Sequence, residues 1–137
     1  MSGDLRSNLK QWLESGQIRL QPLTFPQREL WETSPVPVGD VANHICAFIQ
    51  VKGKVTPEEV HAAIQRVVDR QEVLRLSFLP GKEQAVQMIR ATGTAAFSYR
   101  ELPVEQRSQE ALEEAMQEVF ERRFDMLRGP LYRVEML

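Results

Sequence analysis

A single cysteine, two histidines and the lack of any long apolar run set the first limits on this 137-residue chain. One thiol, Cys46, excludes an intrachain disulfide and any Cys-x-x-Cys metal site, which fits a reducing cytoplasm. No stretch approaches the roughly 20 apolar residues needed to cross a bilayer. The N-terminus is polar and amphipathic from Asp4 to Glu14, which is not the pattern of a secretory leader. A basic excess is also missing. The formal net charge is -2, with lysine and arginine scattered, so a phosphate-binding surface for nucleic acid is not expected. There is no internal repeat or low-complexity tract, and 42% apolar with 26% charged residues suits one globular domain.

What is present reads as an α/β chain, a mixed sheet covered by helices. Leu5, Leu9, Trp12 and Leu13 fall at helical spacing before Gly16, which predicts a short amphipathic helix over residues 4–15. Ile18 to Leu23 is a brief extended stretch. Thr24 then caps a second helix, with Pro26 in its first turn and Gln27 at the capping-box position. Ser34 to Asp40, with two prolines and a glycine, is a loop.

His44 to Lys52 is apolar on both alternating sets, which predicts a strand buried on both faces, with Cys46 an inert buried thiol within it. Thr56-Pro57-Glu58-Glu59 is the strongest local signal: a capping threonine, proline at the first helical position, and acids where the helix dipole favours them. The helix that follows places Val60, Ile64, Val67 and Val68 on its apolar face and His61, Gln65, Arg66 and Asp69 on its polar one. Leu74, Leu76 and Phe78, then Val86 and Met88, predict a hairpin turned at Pro80-Gly81. A short strand over Phe97–Leu102, a helix from about Gln106 to Arg123, and a final strand from Leu131 complete the reading. The sequence stops within that apolar strand. Natural domains seldom end on an exposed half-strand, so a parent domain continuing beyond Leu137 is expected.

Three segments carry a resemblance. Leu23-Thr24-Phe25-Pro26-Gln27-Arg28-Glu29-Leu30-Trp31 is similar to L-S-x-A-Q-x-R-L-W. Thr24 stands for the serine, Pro26 for the alanine, and Glu29 replaces an arginine. Arg70-Gln71-Glu72-Val73-Leu74-Arg75-Leu76-Ser77-Phe78 is similar to R-H-E-x-L-R-T-x-F, departing at Gln71 and Leu76. Arg123 to Arg133 is similar to P-F-D-L-x-x-G-P-L-x-R. Together they resemble the N-terminal portion of a condensation domain of non-ribosomal peptide synthetases, over residues 20–137. Residues 1–19 form a preceding helix or docking segment.

The resemblance implies a chloramphenicol-acetyltransferase-like N-terminal lobe, one of two that enclose a tunnel entered by the phosphopantetheine arms of carrier proteins. The implied reaction joins an acyl or peptidyl thioester to the amine of an aminoacyl thioester. No cofactor is implied on the chain itself, and no metal. The family signature H-H-x-x-x-D-G is absent, because His44 and His61 are the only histidines. No catalytic residue is therefore assigned. Arg70 and Arg75 are the support residues, one of them implied to pair with the signature aspartate; the alternative for an arginine at a helix end is a carbonyl or surface-acid contact. Phe25, Gln27 and Trp31 are candidate channel-lining residues, with core packing as the other role for the aromatic rings.

The implied partners are carrier-protein domains, the second lobe, and an upstream synthetase subunit recruited by residues 4–15. The competing readings are a non-catalytic docking module and a sister activity (epimerisation, heterocyclisation or ester formation). An apolar face meant for a second lobe also predicts self-association.

Overall fold

The computed structural model describes residues 3–137, and for residues 3–6 and Gln106 it describes the backbone alone. Helix α1 runs Gly3–Glu14 and strand β1 Ile18–Pro22. Leu9 and Trp12 pack on the cluster of Ile18, Leu79 and Met88, so half of the expected apolar stripe faces the core. Leu13 stays exposed, and the side chain of Leu5 lies outside the described residues.

Helix α2 covers Phe25–Thr33. The Gln27 side chain accepts from the Thr24 amide at 2.8 Å, which is the reach-back half of a capping box. Helix α3 covers Pro57–Arg70, and here both halves form. The Glu59 amide donates to the Thr56 hydroxyl at 3.2 Å, and the Thr56 amide donates to the Glu59 carboxylate at 2.9 Å. Val68 is fully buried, whereas Val67, one residue or about 100° round the helix, is exposed. Gln65, on the expected polar face, does not simply point to water. It ties the helix to the chain at residues 93–95, donating to the Gly93 carbonyl and accepting from the Ala95 amide, both at 2.8 Å.

Strands β2 (Leu76–Leu79) and β3 (Val86–Arg90) form the expected hairpin. Leu74 belongs to the 3-10 turn before it, Glu72–Arg75. Strand β1 pairs antiparallel on the other edge of β3, giving the order β1-β3-β2. At Gly81 in the turn, an added Cβ would stand 2.0 Å from the Gln84 carbonyl oxygen, so the backbone closes there at glycine. A second sheet joins β4 (Phe97–Tyr99) to β5 (Val134–Met136) in parallel. Helix α4, Gln109–Glu121, lies between them in sequence, capped by Ser108, and turns Ala115 fully inward. The mixture of strand directions is thus divided between two small sheets.

The expectation for His44–Lys52 is corrected. The segment carries no helix, turn or ladder partner, and Ile45 is 98% exposed and Ile49 80% exposed. Cys46 is exposed as well, not buried. The alternation reports two apolar faces. It does not report whether another strand lies within reach to cover them.

Candidate functional site

Strand β2 is where distant parts of the sequence meet. Its Phe78 ring stands edge-on to Trp31 of α2, with centroids 5.1 Å apart. The Phe78 amide donates to the Met126 carbonyl at 2.7 Å. Gly129 has φ +62, and a Cβ built there would stand 3.1 Å from the Leu76 carbonyl oxygen. Only glycine accepts both that backbone angle and that approach without strain. The segments around residues 23–31, 70–78 and 123–133 therefore pack against one another through Trp31, Phe78, Met126 and Gly129.

Trp31 also walls two open grooves. One, of about 500 Å³, is bounded by the proline loop from Ser34 to Gly39 and by Met126. The other, of about 430 Å³, lies towards Leu23, Arg28 and the β2–β3 turn. Phe25 and Gln27 line neither. Phe25 is 75% exposed near the start of α2. Gln27 donates to the Gln87 side chain at 3.1 Å, and Gln87 in turn donates to the Pro22 carbonyl at 2.8 Å. That chain satisfies a buried amide and locks α2 to the sheet.

Arg75 is committed to backbone. Its Nε donates to the Arg90 carbonyl at 3.0 Å, and its Nη1 donates to the carbonyls of Val68 and Asp69. These are orphan acceptors of the last turn of α3, and one planar fork serves them together with β3. Arg70 sits exposed in the same last turn. Glu72, between the two arginines in sequence, forms a two-oxygen pair with Arg19 of β1. The hydrogen bond from Arg19 holds the Glu72 carboxyl below the ordinary range.

Sequence reasoning missed Arg90. Its guanidinium donates to the buried Ser77 hydroxyl at 3.1 Å and to the Arg128 carbonyl at 2.8 Å. Burial pulls its pKa below the ordinary arginine value. A charge two residues after Met88, on the apolar set of β3, was the available signal. Glu135 was missed too. Its side chain is 9% exposed and receives Arg122 at 2.6 Å and Arg100 at 3.1 Å. Beside it, the Arg133 guanidinium lies 4.1 Å over the Phe124 ring.

His44 Nδ1 is 2.8 Å from the Phe120 carbonyl, a contact that places the proton on Nδ1. Its ring stands edge-on to Phe120 and Phe124. His61 stacks on Phe97. The contacts described for both histidines are thus with a backbone carbonyl and aromatic rings. Among the described residues no group of acidic, histidine and cysteine side chains could hold a metal ion, and no helix is long and apolar enough to cross a membrane. The arrangement can shape a groove and hold strand positions. It contains no nucleophile–base pair among the described residues.

These features define an α/β scaffold built around three convergent segments, with apolar grooves and no proton-transfer pair among the described residues. The chain belongs to the condensation-domain family: the Condensation domain model matches residues 17–137. It is 29% identical over 117 residues to a plipastatin synthase subunit of Bacillus subtilis (strain 168), a match covering 85% of this chain and 4% of that protein. Two linear gramicidin synthase subunits of Brevibacillus parabrevis are 26% and 28% identical over 119 residues, each match covering 85% of this chain and 2% of theirs. The chain thus spans a few per cent of the length of the curated relatives it matches. The resemblance drawn from the three segments holds, and the helices and small sheets fit the lobe it implied.

Proposed function

We propose that this chain is a scaffold portion of a non-ribosomal peptide synthetase condensation domain whose parent forms amide bonds between carrier-bound thioesters. The observation that supports it is the convergence of the three matching segments at β2, inside the region of the family match. In the proposed reaction the amine nitrogen of an aminoacyl thioester attacks the carbonyl carbon of an upstream thioester. A C–N bond forms, the C–S bond breaks, and the departing pantetheine thiolate takes up a proton as the nitrogen loses one. This needs an aligned amine, a group near the nitrogen and a site dry enough to disfavour hydrolysis.

The chain supplies the walls: Trp31, the proline loop and Met126 frame a groove suited to the apolar stretches of a pantetheine arm. The proton-handling group comes from polypeptide outside these residues, since His44 is engaged with Phe120 and His61 stacks on Phe97. Carrier-protein domains are the partners in this reading, and the cytoplasm is its compartment. Helix α1 keeps Leu13 as an exposed apolar contact for an upstream synthetase polypeptide. That same engagement of both histidines favours a second reading, a non-catalytic docking module.

Fusing the chain to the downstream polypeptide of the plipastatin synthase relative separates the two. Mass spectrometry of donor and acceptor carrier domains charged with thioesters should find an amide-linked product with the fusion and none with the chain alone. A folded fusion that binds charged carriers without forming product would sink the amide-forming reading and leave the docking module. An epimerised or cyclised product would instead assign a sister activity.

A further inference from the structure

The loop from Ser34 to Gly39 walls the groove of about 500 Å³, and Pro35 and Pro37 deprive it of two amides that could hold its shape. Its carbonyls are held from within instead. The Ser34 hydroxyl donates to the Val36 carbonyl at 2.8 Å, and the Asp40 amide donates to that of Pro37 at 2.8 Å. The Asn43 side-chain amide reaches back to the carbonyls of Pro37 at 3.1 Å and Val38 at 3.3 Å, with the Ser34 hydroxyl 3.5 Å away. Backbone carbonyls only accept, so the amide nitrogen is the atom that faces them. Asn43 itself lines neither groove. The far end of the loop rests on the opposite wall. A Cβ at Gly39 would stand 3.3 Å from Met126 Cγ, and the Asp40 carboxylate meets Arg123 at 3.6 Å.

We propose that Asn43 is a positioning residue for the pantetheine arm: it fixes the proline loop at the distance from Trp31 and Met126 that an arm lying between them needs. This rests on the reading of that groove as part of the arm's path. No ladder or helix shapes the backbone from Pro35 to Val38, so one side-chain amide serving two successive carbonyls sets its curvature. Without those donors, the Val38 carbonyl and one side of the Pro37 carbonyl turn to water, and the loop moves with them. Aspartate at this position would keep the size of the side chain but set a carboxylate against the same carbonyls. The effect on a ligand follows from distance. A gap of roughly 0.5–1 Å forfeits about a quarter to a half of each contact's attraction.

NMR titration of the 137-residue chain with free pantetheine tests this, reading the Trp31 indole N–H and the Met126 methyl group. The wild type is expected to bind in the millimolar range, with both signals moving together. Asn43→Ala and Asn43→Asp should each weaken binding at least about fivefold. Circular dichroism checks that each variant is folded. A merely structural role would lower the urea midpoint and leave the affinity of the folded protein unchanged, and that result overturns the proposal. The wild type gives a second measurement that needs no variant. Saturating pantetheine should slow hydrogen exchange of the Asn43 side-chain amide, which lies outside the groove, and unchanged exchange overturns the proposal equally. A wild type in which neither Trp31 nor Met126 responds overturns the reading of the groove itself, and the positioning role with it.

Discussion

Trp31 meets Phe78 edge-on at 5.1 Å, and that one contact joins the second helix to the strand on which the third segment also rests. Both rings are half-buried. Replacing either by alanine should cost about 2–4 kcal/mol, at or below the range for a large buried aromatic. The double variant should lose less than the sum, by about 0.5–1.5 kcal/mol of pair energy. Urea unfolding of the four proteins measures this, and full additivity would show that the rings do not interact.

Arg75 should behave as a cap. Arg75→Gln is expected to cost on the order of 2 kcal/mol, the worth of charge-assisted bonds to carbonyls that would otherwise be unmet. Arg75→Lys should recover less than half, since an ammonium cannot span three carbonyls from one plane. Hydrogen exchange gives the location: the lost protection should fall on the last turn of α3 and on β3 near Arg90. A loss spread evenly over the chain would argue against capping.

Glu135→Gln should loosen the second sheet. It removes the negative charge and one of the two oxygens that receive Arg100 and Arg122, and leaves Arg122 near Arg133 without it. A cost of about 2 kcal/mol is expected, less than the roughly 3–5 of a fully buried pair because the arginines are partly in water. Amide exchange at Phe97–Tyr99 and Val134–Met136 should rise first. Unchanged exchange there would show the pair to be ornamental.

Acid should release the Arg19–Glu72 tie. The folded carboxyl is held below its unfolded value, so its contribution is present above the ordinary glutamate range and fades as pH falls below about 4.3. The Glu72 carboxyl resonance, followed by NMR against pH, should titrate low in the wild type. In Arg19→Gln it should return to the ordinary range, and an identical midpoint in both proteins would refute the tie. The pair is exposed, so salt should weaken it.

How much of the molecule is legible in its sequence differs by element. Helix α3 is plain, because Thr56-Pro57-Glu58-Glu59 acts through neighbours three residues apart. The hairpin is plain for the same local reason. The strand expected at residues 44–52 fails because its signal is local while its partner is not. Trp31, a candidate wall, does line two grooves, but Phe25 and Gln27 do not. Arg90 and Glu135 escape notice because their partners, Ser77, Arg128, Arg100 and Arg122, come from separate elements. Charge at one position predicts a need for company without saying who supplies it.

Two pairings lie far apart in sequence, Ile18 with Arg90 in the first sheet and the parallel Phe97 with Val134 in the second. The hairpin of β2 and β3 closes across a six-residue turn segment, 80–85, and can form early. The parallel pair must first bring together positions separated by roughly three dozen residues, an entropic toll that grows with the logarithm of the loop. Little of that toll is recovered until α4 has formed between them. Both distant pairings therefore follow the hairpin, and the second sheet, with three residues in each strand, has the fewest ladder contacts to hold it. During synthesis β5 emerges after the other elements described, so a finished first sheet waits for the strand that completes the second.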